Sequence, residues 1–238
     1  MERAVRALKA AHPDFTYMLM DETMCYDYIY ARFPHDVALA FQTLRPGAYK
    51  ADLWRLCVLY NDGGVYLDIK YKCVPPFSFH ALLDKAQFVR DRVVLSSRGM
   101  KHGIYNALMV CSPGDARILA CIEHIVQNVQ TRYYGLCCLE PTGPVLVAKH
   151  IDTRGADVTM QYGQSFNKRD DTRYIKAFSP ALRKKFGKTH LLRCYKGYTR
   201  EQDSTQTLPH YSVLWRKRLI YDDDADADAD PAAACACA

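Results

Sequence analysis

Three residues between Tyr49 and Tyr71, in the stretch YKADLWRLCVLYNDGGVYLDIKY, have the types and spacing to hold a polar ligand: Asp52, Arg55 and Asp68. Asp52 and Arg55 lie three apart, so a helix presents both on one face. Alone, such a pair is a surface ion pair worth roughly a few tenths of a kcal/mol. Asp68 changes the weighing. Val65 to Ile69 is β-branched and aromatic, the composition of a strand, and follows a Gly-Gly turn. Asp68 then falls near the carboxyl end of that strand, the edge where open α/β sheets bind ligands. An unpaired charge on a buried strand is costly. Asp68 therefore reads as functional, with Arg55 as its partner.

The elements that position these groups follow from periodicity. Leu53, Leu56, Cys57 and Tyr60 give Ala48 to Tyr60 the i, i+3, i+4, i+7 pattern of a helix packed on a sheet. Asn61-Asp62-Gly63-Gly64 ends it with residues that accept positive φ. Upstream, residues 2–11 predict a short helix with Val5 and Leu8 on one face, stopped at His12-Pro13. Phe15 to Met20 predicts a buried strand, and residues 22–44 a helix interrupted near Phe33-Pro34. Downstream, strands are expected at Gln87–Arg90, Val93–Ser96 and Ala107–Cys111. A helix follows from Pro113-Gly114-Asp115 to about Gln130, with Ile118, Leu119, Ile122, Ile125 and Val126 inward. Pro141-Thr142-Gly143-Pro144 predicts a turn before a helix ending near His150. Weaker strands are expected near Val158–Gln161, Tyr174–Ile175 and Leu191–Tyr195.

At 238 residues, 49% of them apolar and 24% charged, the chain suits one soluble α/β domain. The domain is expected over residues 1–221. Residues 222–238 form an acidic Ala/Asp tail expected to be disordered. That tail holds six acids and no bases, leaving 32 bases against 20 acids, a body of about +12. A basic body attracts phosphorylated partners, and a ligand carrying a diphosphate is the modest reading. No Lys/Arg run is dense enough for a nucleic-acid arm, so no nucleic-acid partner is expected. Of the ten cysteines, Cys57, Cys111 and Cys121 sit in apolar runs, where they act as small hydrophobes. No C-x-x-C spacing, signal peptide or membrane-spanning run is evident. A reduced, cytoplasmic setting is expected.

The ordered run Ala48, Lys50, Ala51, Asp52, Arg55, Gly63, Gly64, Tyr66, Asp68, Lys70 resembles the sugar-binding region of glycosyltransferase family 32. The pattern there is approximately A-x-K-S-D-x-x-R, a helix, then G-G-x-Y-x-D-x-D. More distantly the run looks like the catalytic domains of large clostridial glucosylating toxins. Weaker similarity passes through Arg90-Asp91, Ile104-Tyr105-Asn106, Pro141 to Pro144 and Pro209-His210-Tyr211-Ser212 to Trp215. It covers most of residues 15–221 and is nearest to members from giant DNA viruses and some microbes. The resemblance implies a GT-A fold, an α/β, Rossmann-like nucleotide-sugar-binding domain with a mixed central sheet. It also implies sugar transfer from a nucleoside-diphosphate sugar to a glycan, protein-glycan or other hydroxyl acceptor, with retention. By position it implies that Asp52 and Arg55 bind sugar hydroxyls, that Tyr66 lines the nucleotide pocket and that Asp68 contacts ribose, sugar or metal. Lys50, Lys70, Asp91 and Asn106 join the donor site, and His210, Ser212 and Trp215 close over the diphosphate. Mn²⁺ or Mg²⁺ is the implied cofactor, with Asp68 and His210 its remaining ligands.

Two departures bear on these expectations. Lys70 stands where the family has its second acid. Its ammonium either lies against the diphosphate in place of metal charge, or weakens donor binding and transfer, or turns to solvent. The family's usual first strand, of the type I-P-K-I-I-H-Q-x-W, is also missing ahead of Phe15. A catalytically weakened relative that binds nucleotide sugar or glycan without efficient transfer is the competing reading.

Overall fold

The structure is a computed structural model and describes residues 1–92, 102–167, 170–187 and 189–222. Four helices come first: α1 (Glu2–Ala11), α2 (Glu22–Arg32), α3 (His35–Thr43) and α4 (Gly47–Asn61). Asp21 caps α2 by accepting the Met24 amide at 2.8 Å, satisfying one orphan donor of the first turn. Pro34 and Pro46 occupy the N-cap positions of α3 and α4. At the end of α4, Gly63 and Gly64 both take positive φ, +68° and +91°, and turn the chain into β1 (Gly64–Leu67). The next elements are β2 (Tyr71–Cys73), a 3₁₀ turn at Phe79–Leu82, β3 (Gln87–Arg90) and β4 (Ile104–Cys111). Helices α5 (Ala116–Gln130) and α6 (Pro144–His150) precede β5 (Val158–Asn167) and β6 (Asp170–Ala177). The chain closes with α7 (Pro180–Phe186), β7 (His190–Cys194), α8 (Tyr198–Thr205) and α9 (Tyr211–Arg216).

The seven described strands form a single mixed sheet in the order β1-β4-β3-β5-β6-β7-β2. Only β3 and β5 pair in parallel; the other neighbours are antiparallel. Strand alternation splits the core into two layers, one on each face. Along β4, Met109 and Cys111 join a cluster with Leu53, Leu56 and Ile122 of α4 and α5. Leu108 and Val110 instead join Tyr71, Val89, Met160 and Leu192 on the opposite face. The α/β class and mixed sheet match expectation, as do the helices over residues 2–11, 48–60 and 116–130.

Several expectations change. Phe15 to Met20 is not a strand: no described strand pairs with it, and Met18 and Leu19 are exposed. An apolar extended segment becomes a strand only when a neighbour takes its backbone hydrogen bonds, and the edge strands β1 and β2 pair only with β4 and β7. The weak signals near Val158 and Tyr174 belong to one long antiparallel pair, β5 and β6. Strand β1 stops at Leu67, so Asp68 lies one residue past it, its amide donating to the Ala107 carbonyl at 2.8 Å. The expected strand at 93–96 and the tail from 223 onward lie outside the described residues. Among the described residues all eight cysteines are free thiols, and Cys57, Cys111 and Cys121 are buried as expected.

Candidate functional site

An open cleft of about 1570 Å³ runs between α4, β1, the segment 15–21 and the N-terminal end of α9. Asp52, Arg55, Tyr66, Asp68, Lys70, Asp91 and Asn106 all line it, together with Lys50 and His210. The sequence spread these residues over 160 positions; the fold gathers them.

At the centre, α4 supplies Asp52 and Arg55, both largely buried. Three donors hold Asp52. Asn106 Nδ2 stands 3.0 Å and Arg55 Nη2 3.3 Å from its Oδ1, and Thr142 Oγ1 donates to its Oδ2 at 2.9 Å. Burial pushes the Asp52 carboxyl up, while Arg55 and the hydrogen bonds oppose that rise. The Arg55 guanidinium is fully committed. Its Nε donates to the Ala51 carbonyl at 2.9 Å and its Nη1 to the Asn106 carbonyl at 2.6 Å, with Asp68 Oδ1 at 3.4 Å. The Tyr66 ring lies 4.5 Å beneath it. The i, i+3 pair is thus no surface ion pair but the buried link between α4, β4 and the end of β1.

Asp68 is half-buried at the cleft, with 21% of its side chain exposed. Tyr66 donates its hydroxyl to Oδ1 at 2.9 Å, and Lys70 Nζ stands 2.6 Å from Oδ2. Burial works against the charged form of Asp68, but the Lys70 ammonium and Arg55 guanidinium outweigh it and hold the carboxyl down at about 2. For Lys70, burial alone would lower the pKa; the Asp68 charge carries it above the ordinary lysine value instead. Lys70 does not turn to solvent. Its ammonium sits 5.5 Å from the ring centres of both Tyr71 and Tyr105, and Tyr105 stacks on Tyr162 at 4.1 Å.

Two polar atoms at the cleft wall are buried with no hydrogen-bond partner, the Asn106 Oδ1 acceptor and the Trp54 Nε1 donor. Such orphans are uncommon in folded proteins and mark places where a ligand can supply the missing partner. Asp91 is buried, its carboxylate capped by the Arg92 amide at 2.6 Å, and burial raises its pKa. Lys50 is held in an ion pair with Glu22 of α2.

The C-terminal residues divide. His210 caps α9, its Nδ1 accepting the Ser212 amide at 3.3 Å, and with Tyr211 it lines the cleft. Ser212 and Trp215 do not line it. Trp215 donates its indole N–H to the Tyr134 carbonyl at 2.6 Å and packs on the helical core. Sequence reasoning missed Trp54, Thr142, Tyr211 and the Tyr71–Tyr105–Tyr162 ladder. Thr142, Tyr105 and Tyr211 carried a signal only as part of the weaker similarity through Ile104-Tyr105-Asn106, Pro141 to Pro144 and Pro209 to Ser212.

The donor set does not fit a divalent ion on Asp68 and His210. A cation already stands on each Asp68 oxygen, Arg55 beside Oδ1 and Lys70 beside Oδ2, and three donors close in Asp52. Among the described residues no group of three or more His, Cys, Asp or Glu side chains is placed to hold a metal.

Residues 1–89 match the family model described as "Glycosyltransferase sugar-binding region containing DXD motif". The match is to a glycosyltransferase region. It contains Asp52, Arg55, Tyr66, Asp68 and Lys70, the residues that meet at the cleft, and ends before Asp91 and Asn106. The mixed α/β sheet is consistent with a GT-A-like fold. Among matching solved structures is "PaToxG Glycosyltransferase", at 17% identity and a TM-score of 0.32, covering 54% of this chain and 38% of that chain. The match therefore spans well under half the length of that structure. A search of curated proteins gives no match. Among the described residues no helix is long and apolar enough to cross a membrane.

Proposed function

We propose that the chain is a glycosyltransferase, moving a sugar from a nucleoside-diphosphate sugar to a hydroxyl of a glycan or protein-glycan acceptor with retention. The observation that carries this reading is the Asp52–Arg55–Asp68 network, in which the glycosyltransferase-like segment builds a buried, charged wall along a large cleft. In such a transfer the sugar–phosphate bond breaks, leaving positive charge on the ring and negative charge on the diphosphate. Preorganised groups of both signs stabilise that separation without reorganising. Asp68 is held ionised and faces the positive side of the change. Lys70, Arg92 and Arg173 line the same cleft and face the negative side. The Asn106 Oδ1 and Trp54 Nε1 orphans are suited to donor hydroxyl and carbonyl groups.

Retention favours a front-face route here. Every oxygen of Asp52 and Asp68 is engaged by a donor, which lowers the nucleophilicity of both carboxylates and supports that route. The acceptor oxygen then bonds the anomeric carbon on the face the diphosphate leaves, and its proton passes to a departing phosphate oxygen. Incubation with a panel of UDP- and GDP-sugars, followed by nucleotide release, tests the reading. Release with at least one donor is expected; a folded protein that turns over none would end it.

One observation favours a second reading, a nucleotide-sugar or glycan binder without efficient transfer: Lys70, in place of a second acid, stands on Asp68 Oδ2. Tight donor binding with no nucleotide release would select it.

A further inference from the structure

Four charged side chains meet between α4 and the end of β1. Arg55 stands 3.3 Å from Asp52 and 3.4 Å from Asp68, and Lys70 stands 2.6 Å from Asp68. Their formal charges cancel. Lys70 and Arg55 are largely shielded from water, with 13% and 7% of their side chains exposed. A divalent ion added to this set would bring two uncompensated positive charges into a shielded site, where like charges repel strongly. It would also have to share Asp68 Oδ2 with an ammonium already at charge-assisted hydrogen-bond distance.

We propose that Lys70 is the resident cation of this cleft, so that the chain binds a nucleotide diphosphate without divalent metal, and that the residue at position 70 sets that choice. The proposal rests on the nucleotide-sugar reading above and assigns the chemistry of its diphosphate subsite. An ammonium carries three donors. Lys70 spends one on Asp68, and among the described residues no other hydrogen-bond acceptor stands on it, while the residue lines the cleft. The tyrosine rings of Tyr71 and Tyr105 flank the head group and offer it π-faces rather than competing acceptors. Arg92 lies along the same wall, over Tyr162. A diphosphate meeting Lys70 here finds fixed positive charge where a metal-binding relative would have to recruit it. The inverse follows by charge count. With an aspartate at position 70, three carboxylates face one guanidinium, a net charge that a divalent cation neutralises, and two carboxylates two residues apart are hard-cation ligands.

The test has two arms on the full chain. In the first, Mn²⁺ alone is titrated and the free-ion paramagnetic resonance signal followed. The wild type should leave it unchanged, whereas Lys70→Asp should bind the ion and show a melting temperature that rises with Mn²⁺. Mn²⁺ uptake by the wild type, or none by a folded Lys70→Asp, overturns the proposal. In the second, UDP and GDP are titrated calorimetrically in EDTA and in Mn²⁺. Wild-type affinity should be the same in both, and Lys70→Gln should weaken it about tenfold in both, the loss of one charged hydrogen bond. Lys70→Arg, which keeps the charge, should retain binding and reports on folding. Nucleotide binding that requires Mn²⁺ in the wild type contradicts the assignment. Should neither nucleotide bind the wild type, the nucleotide-sugar reading fails, and the Mn²⁺ arm still decides what residue 70 does.

Discussion

Asn106 donates its amide to Asp52 across 3.0 Å, while its own backbone carbonyl accepts Arg55 at 2.6 Å. One residue of β4 thereby reaches both charged groups of α4 and sets their angle to Asp68. The site is built around this crossing, and its energetics follow from charges that are buried in mutual dependence.

Arg55→Ala should be strongly destabilising. It leaves Asp52 and Asp68 without their shared guanidinium, and removing one partner from a buried ion pair costs about 3–5 kcal/mol. Urea unfolding measures the loss. A midpoint within experimental error of the wild type would show that the network is not holding α4 to the sheet.

Acid should erase what Asp68 contributes. Its carboxyl is held at about 2, below the usual 3.8, so the contribution is complete above roughly pH 4 and lost as pH falls toward 2. The shift corresponds to about 2 kcal/mol. Asp52 is shifted the other way, chiefly by burial and only in small part by the Asp68 charge, so most of its titration is shared when wild type is compared with Asp68→Asn. The stability gap between those two proteins should therefore narrow from pH 5 to pH 2. A constant gap would contradict the ion-pair geometry.

Gly63→Ala should be poorly tolerated. At φ +68° a β-carbon would lie 2.6 Å from the Pro113 ring and 3.0 Å from the Cys111 carbonyl. Both left-handed strain and a collision with a stiff ring follow, costing about 2 kcal/mol or more. Thermal unfolding reads it directly. A change under about 0.5 kcal/mol, the range of a neutral surface substitution, would mean that this turn adjusts freely.

Trp54 and Trp215 should behave as opposites. Trp54 Nε1 has no partner, so Trp54→Phe should weaken donor binding about fivefold or more through loss of a ligand hydrogen bond. Trp215 Nε1 already bonds the Tyr134 carbonyl, so Trp215→Phe should lose about 1 kcal/mol of stability and leave donor affinity intact. Donor titration beside urea unfolding separates the two. Weakened binding in Trp215→Phe would return that residue to the donor site.

The helix carrying Asp52 and Arg55 was legible because its apolar spacing and its Gly-Gly stop are local signals. Gln87–Arg90 was legible as a strand with its observed bounds, since its short apolar centre, Phe88-Val89, is the local signal of a buried strand. Phe15 to Met20 reads as a strand by the same logic, yet the fold gives it no partner, and pairing is a tertiary event that composition does not encode. Helix α9 was invisible to periodicity because six residues make less than two turns. The placement of Trp215 failed for a related reason: similarity set its position along the chain, while the direction of its indole depends on Tyr134, 81 residues away. Of the three readings of Lys70, its 2.6 Å contact with Asp68 removes only the one in which it turns to solvent.

Sugar transfer itself is reached most directly by proton magnetic resonance of the protein mixed with UDP- and GDP-sugars and a hydroxyl acceptor, following the anomeric signals. Loss of one donor's anomeric signal, with a new glycosidic signal of the same configuration, is the expected result. Donors left intact through prolonged incubation with the folded protein would contradict it.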